Sequence, residues 1–168
     1  VDGIYSMEGD IADVPGLLKV CRRHGAALAI DDAHSIGVLG PKGDGTAAHF
    51  GMTDEVDIIA GTFSKSLASI GGFVAASRSV INYLRHHSRP LIFTASLPPS
   101  NTAGVLAALE VLRHDSERRD ALWANTRRLQ EGFRGLGFDT GPSETPIVPI
   151  LIGPLDKTLM MWRKVFDA

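Results

Sequence analysis

Apolar positions along the 168-residue chain follow two alternating rhythms. In DVPGLLKVCRRHG (13–25), Val14, Leu17, Leu18 and Cys21 recur at helical spacing, with a proline near the first turn and a closing glycine, so the segment predicts a helix. It feeds AALAID (26–31), a short apolar run of the kind that forms a buried strand. VDIIAG (56–61) and GGFVAA (71–76) repeat that strand character, SRSVINYLRHHS (77–88) returns to helical spacing, and PLIFTAS (90–96) predicts a fourth extended piece.

From Pro98 to about Leu136 the pattern is helical throughout, with Leu122, Leu129, Phe133 and Leu136 on one face and Asp115 or Ser116 as a cap between two helices. TPIVPILIG (145–153) reads as strand again, and LDKTLMMWRKVFDA at the end reads as a helix without a Gly or Asn stop. Strands alternating with helices predict an α/β fold with a mostly parallel sheet flanked by helices. The Gly/Pro/Ser-rich GFDTGPSETP is the best boundary, which divides the chain into a large domain over 1–140 and the start of a smaller C-terminal α+β domain over 141–168.

Composition narrows the function classes. Hydrophobic residues make up 44% and charged residues 21%, ordinary globular usage that argues against disorder. Seventeen basic and nineteen acidic side chains give a net charge of -2 with no long run of one sign, so nothing points to nucleic acid or to a polybasic membrane surface. No apolar stretch approaches the roughly 20 residues of a membrane-spanning helix. The single cysteine, Cys21, has no partner for an internal disulfide and shares the apolar face of its helix. These features predict a cytoplasmic protein. The first residue is not methionine, and both ends read as cut from something longer.

The polar residues then find their places on this frame. In α/β sheets ligands sit beyond the carboxyl ends of the strands. The strand ending at Asp31 runs into DDAHSIG, with Asp31, Asp32, His34 and Ser35; the strand ending at Gly61 runs into GTFSKSLASIGG, with Thr62, Ser64 and Lys65. An amine is a nucleophile or base only when neutral, a condition met by burial or by condensation with an aldehyde. Hydroxyls and free N–H groups beside it suit a phosphate, and a carboxylate across the pocket can hold a heterocyclic nitrogen protonated. Together, amine, phosphate cradle and acid describe a site for pyridoxal 5′-phosphate. No metal ligands are called for.

Each piece alone has a plainer reading. A lone lysine is more often solvated, paired aspartates more often end a strand or cap a helix, and a histidine more often packs. The glycines of GVLGPKGDG also suit simple turns. GTFSKS lacks the G-x-x-x-x-G-K-[ST] spacing of a nucleotide phosphate loop.

Four motifs in register outweigh those separate readings: YSMEGDIADV, DDAHSIGVLGPKGDGTAAHFG, DIIAGTFSKSLASIGGFVAAS and RPLIFTASLPPS. In this order they resemble the α-oxoamine synthases, fold-type-I pyridoxal-phosphate enzymes that include 8-amino-7-oxononanoate synthase, 2-amino-3-ketobutyrate CoA ligase, 5-aminolevulinate synthase and serine palmitoyltransferase. The resemblance runs from residue 1 to about residue 153. It implies an acyltransferase that condenses an amino acid with an acyl-CoA, usually with decarboxylation, and a homodimer with its site at the subunit interface. Lys65 resembles the lysine that forms a Schiff base with the cofactor and moves the substrate's Cα proton. Asp31 looks like the partner of the pyridine nitrogen, and His34 resembles the imidazole near the ring hydroxyl. Ser6 resembles a further cofactor contact, and Thr62 a phosphate ligand with Ser64 as a second. FTASLPP is similar to a stretch that reaches the neighbouring subunit's cofactor phosphate, which makes Thr94 and Ser96 candidates across the interface.

The stretch around Lys65 and the following RPLIFTASLPP look nearest to the serine palmitoyltransferase-like members. The family's ring-stacking histidine and carboxylate-binding arginine have no counterpart in these residues, so the amino acid and acyl-CoA are not legible. Two rival classes stay open. An aminotransferase or an eliminating lyase would share Asp31 and Lys65 but more commonly carries Tyr at the position of His34, and a non-catalytic subunit would have no need of the amine.

Overall fold

The computed structural model describes residues 1–168. At its centre is a three-stranded sheet in the order β1 (Ala29–Asp31), β2 (Ile58–Thr62) and β3 (Gly72–Ala76). β1 and β2 are parallel, with Asp31 opposite Ala60, while β3 returns antiparallel to β2, with Gly72 opposite Thr62. Residues 1–3 add a parallel segment along the other edge of β1, where Asp31 donates its N–H to the Val1 carbonyl and Gly3 donates to Asp31, both at 2.8 Å. Three parallel rows and one antiparallel edge make the expected mostly parallel sheet.

Helix α1 (Val14–Arg23) forms where the sequence predicts it. The Asp13 side chain accepts the Gly16 N–H at 3.0 Å, Pro15 occupies the first turn, and Gly25 follows the helix at φ 62°, a conformation that favours glycine. Its apolar face packs on the sheet: Val14, Leu18, Leu28, Ile30 and Ala47 form the buried cluster, with Cys21, Met52 and Ile59 against it. The burial alternates along β1, so that Ile30 points into this core while Asp31 stands exposed.

A glycine-rich loop leads from β1 to the single turn of α2 (Thr46–His49). Beyond β3 come α3 (Arg78–His87), α4 (Arg89–Ile92), α5 (Pro99–His114), α6 (Glu117–Gly135) and α7 (Leu155–Phe166). Between α5 and α6 the cap is split: Ser116 occupies the N-cap position, while the Asp115 side chain accepts the Glu117 N–H at 2.9 Å. No helix is long and apolar enough to cross a membrane.

Two predicted extended pieces differ. PLIFTAS begins inside the four-residue helix α4, with Pro90 in its first turn where a missing N–H is harmless, and continues as an exposed loop. TPIVPILIG joins no sheet; the Leu151 N–H donates to the Asp139 carbonyl at 2.8 Å, and side-chain bonds, such as that from Gln130 to the Thr145 carbonyl, hold its start. Both runs have strand-like composition, but a strand needs a continuous ladder of hydrogen bonds to a neighbour, and neither forms one. The predicted apolar face of α6 also remains largely open: Leu129 and Leu136 are exposed, while Phe133 meets Phe138 edge to face with ring centroids 5.9 Å apart.

Candidate active site

Parallel strands end on one edge of the sheet, and the chain leaves that edge three times. Ser6 lies in the turn after the first parallel segment, Asp31 ends β1 and leads into Asp32 to His34, and Thr62 ends β2 and leads into Phe63 to Lys65. The Asp32 N–H donates to the Ala60 carbonyl at 2.7 Å, which continues the β1–β2 pairing to the point where the loops part.

The β1 loop is held by a buried polar knot. The side chains of Asp32, Ser35 and Thr46 are all fully inaccessible. Asp32 accepts the Thr46 backbone N–H on both oxygens, and the Thr46 hydroxyl donates to Ser35 at 2.7 Å. Helix α6 clamps the outside of the same loop through Trp123 Nε1, which donates to the Val38 carbonyl at 3.2 Å, and Arg119, which donates to Pro41 at 3.1 Å. Asp31 sits just outside the knot. Its side chain accepts the Ala33 N–H at 2.9 Å through one oxygen, and the other oxygen is left for an outside donor.

The β2 loop folds back on itself. Thr62 and Ser64 hydroxyls pair at 2.8 Å, and Thr62 also reaches the Gly71 carbonyl at 3.2 Å. Leu67 anchors the turn at 2% exposure, and Ala68 closes it at φ 48° with its N–H on the Lys65 carbonyl. Gly72 opposes the end of β2 so closely that a side chain there would strike the Gly61 carbonyl oxygen at 2.5 Å. Lys65 projects from this turn, exposed.

The two loops meet. Ser66 donates its hydroxyl to the Ile36 carbonyl at 2.6 Å. His34 and Lys65 line one cavity of about 260 Å³, walled by Ile4, Ile36, Leu122 and the segment Thr145–Ile147. That last segment is tied down by the Thr145 hydroxyl, which donates to the Gly9 carbonyl at 2.9 Å. A larger hollow of about 540 Å³ lies under α5, lined mainly by Phe63, Leu67, Phe73, Val105 and Leu109, and carries neither His34 nor Lys65.

Of the residues singled out from sequence, His34 and Lys65 share the cavity, while Asp31, Thr62, Ser64 and Ser6 lie along the same sheet edge outside its lining. Thr94 and Ser96 are apart from them, exposed on the loop between α4 and α5. Sequence reading missed Ser66, Gly37 and Trp123, whose partners lie 30 or more residues away or in another loop.

The donor set fits pyridoxal 5′-phosphate: a flexible amine, an exposed carboxyl with a free oxygen, an imidazole, and a hydroxyl pair beside a loop that glycine keeps open. The chemistry needs these groups on one sheet edge, and they are on one.

Comparison with known proteins places the chain. All of it, residues 1–168, matches the family aminotransferase class I and II. It is 49% identical over 166 residues to the serine palmitoyltransferase of Sphingobacterium spiritivorum, covering 99% of this chain and 42% of the relative. It is 44% identical to the 8-amino-7-oxononanoate synthase of Symbiobacterium thermophilum, with the same two coverages. Among solved structures, a lysine-to-alanine variant of the serine palmitoyltransferase of S. paucimobilis with a bound pyridoxal-phosphate–myriocin aldimine superposes with a TM-score of 0.92 at 37% identity, over 99% of this chain and 44% of that one. The chain thus spans about two fifths of the length of these relatives, and its fold is that of the fold-type-I enzymes. The chain belongs to the aminotransferase class I and II family, and the members it resembles include serine palmitoyltransferases and 8-amino-7-oxononanoate synthases.

Proposed function

We propose that the chain forms the catalytic core of a pyridoxal 5′-phosphate-dependent acyltransferase that condenses an amino acid with an acyl-CoA, of the serine palmitoyltransferase kind. The observation that carries this reading is the meeting of the His34 and Lys65 loops over one cavity at the carboxyl edge of the sheet. The identity to serine palmitoyltransferases supports the substrate pair.

When bound, the cofactor supplies an electron-withdrawing ring that makes the amino acid's Cα proton acidic. Lys65 would hold the cofactor through its amine, and that amine, once free, would take and return that proton. The free Asp31 oxygen would accept from the ring nitrogen and favour its protonated form, while His34 would help orient the ring from the same loop. Thr62 and Ser64 bind the phosphate, and Ser6 adds a contact from the first turn. Residues 1–140 serve as part of the large domain and 141–168 as the start of a smaller one, with Thr145–Ile147 covering the cavity. Two copies form a dimer in which Thr94 and Ser96 reach the partner's cofactor phosphate. Their exposure and that of the α6 face support this arrangement.

The test is made on the full-length protein mixed with pyridoxal 5′-phosphate. The expected result is a visible absorbance that borohydride fixes onto Lys65, confirmed by peptide mass and missing in Lys65→Ala, followed by CoA release with serine and a long-chain acyl-CoA in preference to alanine or glycine. A folded wild type with no absorbance sinks the reading. Turnover with alanine over serine moves the assignment to the oxononanoate synthases.

A further inference from the structure

A lysine side chain has four rotatable methylene links, so the position of its amine is governed by how firmly the backbone beneath it is held. In the β2 loop, Leu67 is buried immediately after Ser66, and Ser69 bonds both the backbone and the side chain of Asn101 at the start of α5, each at 3.3 Å. Those contacts fix the loop to α5. One side-chain hydrogen bond ties it to the β1 loop: Ser66 to Ile36, at 2.6 Å.

The geometry around that bond is tight. Gly37, next after Ile36, sits at φ 83°, and a side chain there would come within 2.6 Å of the Ser66 Cβ. Two residues before Ile36 is His34, and one before Ser66 is Lys65, so the bond joins the two loops next to both reactive groups. The β1 end of the link is itself rigid, because Ile36 donates its N–H to the Asp32 carbonyl at 3.0 Å within the buried knot.

We propose that Ser66 is a positioning residue: its hydroxyl, bonded to Ile36, sets the Lys65 backbone at a fixed place relative to His34, and the bare Cα of Gly37 lets the loops meet. This inference rests on the reading of Lys65 as the amine that holds the cofactor. It adds to that reading a residue whose hydroxyl is committed to the Ile36 carbonyl and which acts through its neighbour.

Ser66→Ala and Ser66→Thr in the full-length protein test it with two readouts. The first is hydrogen exchange of the amides of residues 66–71 in cofactor-free protein. The second is the rate at which added pyridoxal 5′-phosphate becomes attached to Lys65, followed by absorbance and trapped with borohydride for mass analysis. Loss of one such bond is expected to make exchange about fivefold faster and attachment about fivefold slower in Ser66→Ala, with a cooperative unfolding transition retained and recovery in Ser66→Thr. Attachment at the wild-type rate in Ser66→Ala overturns the role, whether or not the loop exchanges faster. A wild type that takes up no cofactor overturns the cofactor reading and this inference with it, whereas failure of Ser66 alone leaves that reading standing.

Discussion

Asp32 accepts the Thr46 backbone N–H on both of its oxygens, at 3.2 and 3.1 Å, and is fully buried, while Asp31 beside it is exposed and accepts one N–H. Adjacent acids on a strand end point to opposite faces, so one serves the fold and the other faces outward. Asp32→Ala strands the buried Thr46 N–H and is expected to lower the stability of the cofactor-free protein by about 1–3 kcal/mol in urea unfolding. Asp31→Ala should stay within about 0.5 kcal/mol of wild type and instead weaken cofactor uptake. Equal losses of stability in the two variants would refute this division.

Gly37→Ala places a methyl group against Ser66 from a left-handed backbone position. The conformational penalty alone is about 1–2 kcal/mol, and slower attachment of cofactor to Lys65 should accompany it. Gly25→Ala is the matched control, because Gly25 also has positive φ but meets nothing within 4 Å. It should lose stability while keeping the attachment rate.

Trp123→Phe retains a ring at the clamp and removes the bond to the Val38 carbonyl. The expected loss is about 1 kcal/mol by denaturant titration. Faster hydrogen exchange should be confined to residues 36–41. An effect spread evenly over the sheet would mean that α6 supports the whole fold rather than this loop.

Thr94 and Ser96 are predicted to act in the partner's site. Lys65→Ala and a Thr94→Ala/Ser96→Ala double variant, each inactive alone, should regain turnover when unfolded and refolded together. A mixture as inactive as its parts would put both hydroxyls in their own subunit's site or outside catalysis.

Leu18→Ala probes the core between α1 and the sheet, where Leu18 is 3% exposed. A loss of about 2–5 kcal/mol is expected on urea unfolding, the range for a cavity in a packed core. Leu129→Ala, at 48% exposure, should cost little in a monomer. A marked loss there that grows with protein concentration would show that the open α6 face is covered by a second copy.

What the sequence reveals about this protein depends on how far apart the interacting residues lie. Helix α1 was legible because Asp13, Pro15 and Gly25 carry its cap and stop within a few residues of the apolar face. β1 to β3 were legible as short apolar runs, and the antiparallel direction of β3 became visible only in the pairing of Gly72 with Thr62. PLIFTAS and TPIVPILIG were misread because composition reports strand preference and says nothing about a pairing neighbour. The Lys65, Asp31 and His34 motifs stood out by residue type. The contacts that steady them, Ser66 to Ile36 and Trp123 to Val38, join residues 30 and 85 positions apart and leave no local trace.

The β2 loop is shut at its base by the pairing of Thr62 with Gly72 and pinned inside by Leu67, Ser66 and Ser69. Its main chain is therefore ordered when the protein folds, before any small molecule arrives. A ligand captured by Lys65 has only the side chain left to immobilise, roughly 2 kcal/mol of rotamer entropy for a lysine. Affinity at such a site rises through disorder already removed rather than through contacts added, and lengthening the loop would weaken binding even with every named residue retained.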